Sequence, residues 1–244
     1  MSGTGIELRT VSVRYGRTAA LDGVDLQVPP ATVYAILGKN GAGKSSLARV
    51  IAGLVLPTSG DLHIDGTSVC SPTIHRVRRS MGFLPQEPLL HEELTGREFL
   101  QFIRDLYGAG PSTEDRQREL RGRMEVGSWL DAPIRSYSNG MRKKVALLAS
   151  LLPEPRFWIL DEPFAALDGA GVRVLETEIS CLRACGGLTL FTAHDPDIAE
   201  RLADRVGVLD GGKIVFDGPV ATFRALGRKL LGDGQPAASG RSWK

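Results

Sequence analysis

An α/β fold with a largely parallel sheet, an antiparallel β segment at its start and an inserted helical region is predicted by three features of this sequence. Short apolar runs alternate with helical patterns through the second half of the chain. A strand pattern runs directly into a glycine-rich loop and a helix near residue 38, and the strand signal disappears between about Glu87 and Pro153. At 244 residues with 42% hydrophobic side chains, the chain can bury one substantial core, and two independent domains are not expected.

From Ile6 to Val33, the pairs Ile6/Leu8 and Val11/Val13 and the triplet Val24/Leu26/Val28 are broken by the turn residues Tyr15-Gly16 and Pro29-Pro30, which reads as an antiparallel sheet. The run Val33 to Leu37 ends in the glycine-rich loop. A helix from Lys44 to about Ala52 follows, then a turn at Pro57 to Gly60 and a strand pair around Leu62 and Ile64. Helical patterns at Thr95 to Tyr107, Glu114 to Leu130 and Ser138 to Leu152 fill a helical subdomain over about 87–153. Strand candidates at Phe157 to Leu160, Leu188 to Phe191 and Val206 to Leu209 then alternate with helices at about Ala170 to Cys185 and Pro196 to Ala203. Asp210-Gly211-Gly212 signals a closing hairpin. Residues 1–231 are thus expected to form a single domain, and 232–244, rich in Gly, Ala and Ser, a flexible tail.

Charge narrows the function classes. Thirty Lys and Arg against 28 Asp and Glu leave a net +2, which supplies no footprint for a nucleic acid, and none is expected as a partner. The start of the chain lacks the pattern of a signal peptide, and apolar runs such as Val145 to Leu152 fall short of the ~18 residues that cross a bilayer, so a cytoplasmic location is expected unless a partner holds the chain at a membrane. Cys70, Cys181 and Cys185 lack metal-ligand spacing and read as small apolar residues in a reducing compartment. The basic residues Arg76, Arg78, Arg79, Lys143 and Lys144 read as solvated faces.

Gly38-Lys39-Asn40-Gly41-Ala42-Gly43-Lys44-Ser45 satisfies G-x-x-x-x-G-K-[ST] between a buried strand and a helix, the context that a P-loop NTPase core requires. Glycines let successive N–H groups turn toward phosphate oxygens, and the helix N-terminus adds partial positive charge. Lys44 is expected on the β and γ phosphates and Ser45 on Mg²⁺, with Gly38, Asn40, Gly41, Gly43 and Ser46 completing the phosphate-binding set. Downstream, the strand Phe157 to Leu160 ends in Asp161-Glu162, where the carboxyl edge of a parallel sheet places both carboxylates beside a ligand. Asp161 is expected to hold Mg²⁺ through water, and Glu162 to orient and polarise the attacking water.

The succession of phosphate loop, Gln86, Ser138-Asn139-Gly140, Asp161-Glu162, Asp168 and His194 resembles the ATP-binding-cassette (ABC) family from about Ile6 to Leu226. The resemblance implies an ATPase that uses ATP and Mg²⁺. Tyr15 matches the aromatic that stacks on adenine, Gln86 the glutamine that reaches Mg²⁺ and water and couples the site to the helical insert, and His194 the histidine on the γ-phosphate. It also implies that Ser138 and Gly140 approach the γ-phosphate bound to an opposite subunit, with Asp168 in a loop that crosses the dimer interface. The common Leu-Ser-Gly-Gly-Gln signature is replaced by Tyr137-Ser138-Asn139-Gly140-Met141, which together with Leu94-Thr95-Gly96-Arg97-Glu98 is similar to exporters of the ABC-2 type. The partners so implied are integral membrane permease subunits and a second ATP-binding subunit, identical or related, with the chain peripheral on the cytoplasmic face of the cell membrane. A soluble ABC ATPase acting on nucleic acid or ribosomes is the rival. Such proteins usually carry two cassettes or a long coiled coil, whereas here one phosphate loop stands without sustained heptads.

Overall fold

A computed structural model describes residues 5–108 and 111–231. Strands β1 (Ile6–Tyr15) and β2 (Thr18–Val28) pair antiparallel with Ile6 opposite Val28. β4 (Ser59–Ile64) lies on the other side of β1, and β5 (Thr67–Ser68) forms the edge. Alternation aims Ile6, Leu8, Val11 and Val13 inward, where they share one cluster with Leu47, Ala48 and Ile51 of helix α1 (Lys44–Ile51).

The second sheet has six strands in the order β10 (Lys213–Pro219), β9 (Arg205–Asp210), β3 (Val33–Leu37), β8 (Leu188–Ala193), β7 (Phe157–Leu160) and β6 (Met81–Leu84). All pairings are parallel except the β9–β10 hairpin. Every residue of β3, β7 and β8 is buried, as expected for a parallel sheet covered on both faces. The loops that leave β3, β6, β7 and β8 therefore emerge along one carboxyl edge, the usual ligand edge of such a sheet.

Among the short elements that escape the sequence reading are β6, α2 (Ile74–Arg78) and α8 (Val220–Leu226). Each is too short to show a period. β6 also carries Gly82, where a Cβ would stand 2.2 Å from the Ser150 carbonyl oxygen, so the glycine admits close passage of helix α5 (Asn139–Leu151).

The helical region consists of α3 (Gly96–Tyr107), α4 (Pro111–Arg123) and α5. At the start of α3, Glu98 N–H donates to Thr95 Oγ1 and Thr95 N–H to Glu98 Oε2, a reciprocal capping box. The helix expected over Glu114 to Leu130 stops at Arg123. Glu125 adopts φ 55° and Val126 N–H returns to Arg121 O, a left-handed closure, and the remaining apolar residues continue in a 3₁₀ turn at Ser128–Asp131. Apolar periodicity survives this break because Leu130 still faces the core. Helices α6 (Gly169–Ala184) and α7 (Pro196–Leu202) flank β8, and a 3₁₀ turn at Gly227–Leu231 ends the described chain. The expected tail lies outside the described residues. Cys70, Cys181 and Cys185 are exposed, contrary to the apolar filler role expected of them: they occupy surface turns and the outer face of α6, where no packing demands a hydrophobe.

Tyr137, which departs from the commoner signature, and Gly96 explain each other. The Tyr137 hydroxyl accepts from Gly96 N–H at 3.0 Å and donates to Leu130 O at 3.1 Å, satisfying one of the unpaired amides of the first turn of α3. A Cβ on residue 96 would lie 2.6 Å from that hydroxyl. Trp129 packs edge-on against the Tyr137 ring with centroids 5.0 Å apart. Tyr137→Phe is expected to lower stability by about 1–3 kcal/mol, the cost of stranding a buried donor and acceptor. Urea unfolding followed by tryptophan fluorescence measures the loss.

Candidate nucleotide site

The phosphate loop lies directly on neighbouring backbone. A Cβ at Gly38 would approach Leu209 O to 2.3 Å, and one at Gly43, whose φ is 106°, would approach Ala20 O to 2.4 Å. Side chains are excluded there, leaving a bare backbone concavity. Gly43 opens α1 without a side-chain cap, which leaves the first-turn amides of that helix for a ligand. Within this cradle Lys44 is buried, its ammonium donating to Gly38 O at 2.9 Å and Lys39 O at 3.3 Å, with Glu162 Oε1 at 3.4 Å. Ser45 and Ser46 follow, half-buried, in the first turn.

Across β8, the end of β7 delivers the two carboxylates. Asp161 is 1% exposed and accepts from Thr192 Oγ1 at 2.7 Å, and the same hydroxyl accepts from Glu162 N–H at 2.9 Å. Glu162 takes φ 47°, a left-handed conformation that costs a non-glycine residue about 1–3 kcal/mol unless its surroundings impose it. The Thr192 bond helps impose it. The Glu162 carboxylate is thereby shared between Lys44 and His194, whose Nδ1 lies 3.1 Å from Oε2. Gly38, Lys39, Asn40, Gln86, Glu162 and His194 surround one cleft of about 420 Å³. Ser45 and Asp161 offer the hard oxygen donors that Mg²⁺ takes from a protein in small number, the balance coming from phosphates and water, so the donor set fits that ion.

The other expected residues lie elsewhere. Tyr15 is exposed at the end of β1. Ser138 caps α5 by accepting from Met141 N–H, and a Cβ at Gly140 would come within 3.1 Å of Ala166 O. Asp168 caps α6 by accepting from Gly171 N–H, and the Lys144 ammonium beside it holds its carboxyl below the usual carboxylate range. Ser138, Gly140 and Asp168 therefore adjoin one another, and none of them lines the cleft.

Lys143 and Lys144 are buried, contrary to the solvated face expected of them. Lys143 donates to Pro85 O at 3.0 Å and Gln86 O at 3.1 Å, and burial lowers its pKa to about 8 against the pull of Asp161 and Glu162. Lys144 donates to Met124 O at 2.7 Å and pairs with Asp168 Oδ2 at 2.7 Å. Helix α5 is buried continuously from Lys143 to Leu148, so no polar face exists for these lysines to occupy. Arg76, Arg78 and Arg79 are exposed as expected. Sequence reasoning misses Thr192, and the signal that could find it is a hydroxyl at the carboxyl end of a buried parallel strand, the ligand edge of the sheet.

Comparison with known proteins identifies the family. A family profile described as ABC transporter matches residues 21–165, more than half of the chain. The daunorubicin resistance ATP-binding protein DrrA3 of Streptomyces coeruleorubidus is 36% identical over 92% of this chain and 71% of its own length. The bacitracin transport ATP-binding protein BcrA of Enterococcus faecalis is 30% identical over 96% of this chain and 76% of its own. A solved ATP-binding subunit of an ABC transporter superposes with a TM-score of 0.84 at 29% identity, covering 93% of this chain and 94% of that one. A dimeric cassette in a post-hydrolysis state, bound to ADP and phosphate, shares the fold at a TM-score of 0.78 and 24% identity, over 88% of this chain and 98% of that one.

Thr192→Val keeps the side-chain shape but removes the hydrogen bond to the Asp161 carboxylate and the one from the Glu162 amide. Phosphate-release assays are expected to show turnover lowered roughly tenfold or more, and near-normal turnover in Thr192→Ser.

Proposed function

The chain belongs to the ABC transporter family of ATP-binding proteins, and from that premise we propose that it is the ATP-hydrolysing subunit of an ABC-2 type exporter, pairing with a second such subunit to drive a separate membrane permease. One observation carries the reading. The phosphate loop, Gln86, Glu162 and His194 meet in a single cleft, whereas Ser138, Gly140 and Asp168 do not line it, which supports their engaging the nucleotide of a second subunit.

Chemically, phosphoryl transfer asks the protein for positioning and charge stabilisation more than for covalent steps. Lys44 exchanges its carbonyl and carboxylate partners for β- and γ-phosphate oxygens. Glu162, released from Lys44, turns its carboxylate to the attacking water, and His194 holds Glu162 and the γ-phosphate in mutual register. Bound Mg²⁺, with Ser45, Asp161 and Gln86 as its protein-side partners, supplies positive charge to the phosphate oxygens. Gly38, Asn40, Gly41, Gly43 and Ser46 complete the phosphate cradle, and Tyr15 stacks on adenine. The partner's helix N-terminus at the Ser138 position completes the γ-phosphate site.

The permease half of the reading is supported by an apolar groove of about 330 Å³ where the helical region meets the core, lined in part by Leu54, Phe83, Pro88, Leu89 and Ile103. Leu54 and Leu89 are exposed. Paired apolar surface of this kind suits a protein partner. No helix among the described residues is long and apolar enough to cross a membrane. One relative is named for daunorubicin resistance and the other for bacitracin transport, which supports export of a cargo recognised by the permease.

Two variants and a pull-down test the proposal. Glu162→Gln is expected to retain ATP binding, lose most turnover and elute as an ATP-dependent dimer in size-exclusion chromatography, whereas Lys44→Ala weakens ATP binding itself. Tagged Glu162→Gln protein extracted from native membranes with Mg-ATP should carry a stoichiometric multi-helix membrane protein. Recovery with ribosomes or soluble proteins alone would overturn the exporter assignment and leave the ATPase chemistry standing.

A further inference from the structure

Lys143 is 2% exposed and sits five residues beyond Ser138, in the part of α5 nearest the cleft loops. Taking an ammonium out of water costs several kcal/mol unless oxygens replace the lost hydration. Here the replacements are the carbonyls of Pro85 and Gln86, in the loop that leaves β6 and brings Gln86 to the cleft, with the carboxylates of Asp161 and Glu162 nearby. Packing alone would not need this, because Val145, Leu147 and Leu148 of the same helix already fill the core.

The two ends of α5 are held differently. Toward its C-terminus, Ser150 Oγ accepts from the Trp158 indole N–H at 3.0 Å, and Ser150 O lies against Gly82, so this end is fastened to β6 and β7. Its N-terminus carries the exposed Ser138. Lys143 precedes Ser150 by seven residues, about 10 Å along the axis, and so lies toward the Ser138 end, whose side chains are tied to loops rather than to the sheet. A displacement of the Ser138 end about the Ser150 anchor must then pull on the carbonyls of the Gln86 loop.

We infer that Lys143 is a positioning residue: by gripping Pro85 O and Gln86 O it makes α5 carry Gln86, so that engagement of Ser138 and Gly140 with the opposite subunit's nucleotide sets Gln86 for hydrolysis. This rests on the role of Gln86 proposed above. A lysine suits the task because its compact three-donor head on a flexible stem can follow a loop through a range of positions.

Steady-state ATP hydrolysis in a double-mutant cycle tests it, with the variants Lys143→Met, Gln86→Ala and the two combined. Lys143→Met is expected to lower kcat about tenfold or more with KM within about twofold of wild type, and to add almost nothing in the Gln86→Ala background. Lys143→Arg, which keeps two donors, should recover most of kcat. Ser150→Ala, which loses the Trp158 bond on the same helix, controls for destabilisation. Losses that add independently in the cycle, wild-type kcat in Lys143→Met, or an equal kcat loss in Ser150→Ala at matched melting temperature would each overturn the inference. Wild-type kcat in Gln86→Ala with impaired Lys143→Met would remove the Gln86 reading itself, and with it this coupling, while leaving Lys143 important by another route. Should Lys143→Met not fold, Lys143→Gln takes its place in the cycle and is judged by the same additivity.

Discussion

A buried ammonium must find oxygen partners, and three lysines that meet this demand organise the molecule. Lys44 meets it with the carbonyls of its own loop and with Glu162, Lys143 with the carbonyls of Pro85 and Gln86, and Lys144 with Met124 O and Asp168. Because an uncompensated charge in the interior is among the costliest defects a fold can carry, each contact fixes the loop that supplies the oxygens. Among these loops are those that carry the phosphate cradle, Gln86 and Asp168. Electrostatic need thus joins apolar burial in fixing where the functional loops stand.

The sheet supplies the frame on which this works. Parallel order puts the ends of β3, β8, β7 and β6 side by side, so residues as distant in sequence as Asn40, Gln86, Glu162 and His194 reach one cleft through short loops. Thr192 then ties adjacent strands at the point of chemistry, since one hydroxyl donates to Asp161 and accepts from the Glu162 amide. The left-handed backbone at Glu162 is held by contacts across the sheet, which aims its carboxylate between Lys44 and His194.

The helical region is joined to this frame by polar ties as well as by apolar packing. Glu178 on α6 is buried and accepts from Arg116 and Arg123 of α4, alongside the two α5 lysines. Hydrogen bonds and ion pairs of this kind can exchange partners during a rigid-body motion, whereas close-packed apolar contacts resist sliding. A body fastened this way can move relative to the core and still keep its loops in register.

Much of the site was legible in residue order because its chemistry is local. A backbone cradle needs glycines at fixed spacing, a strand end needs its two carboxylates in succession, and a period of two or 3.6 announces the long elements, so Gly38 to Ser45, Asp161 and Glu162 stood out, and so did most strands and helices, whereas His194 was legible only through the family resemblance. The short elements β6 and α2 carried no period, and the end of α4 was hidden because apolar spacing runs on through its left-handed closure at Glu125. Lys143, Lys144 and Thr192 became readable only in three dimensions. A lysine or threonine looks the same in a sequence whether it meets water or a carbonyl, and the partners here come from strands and loops 20 to 58 residues away. Residue order determined which chemistry the chain could perform, and tertiary packing decided which charges left the water and therefore which loops they hold.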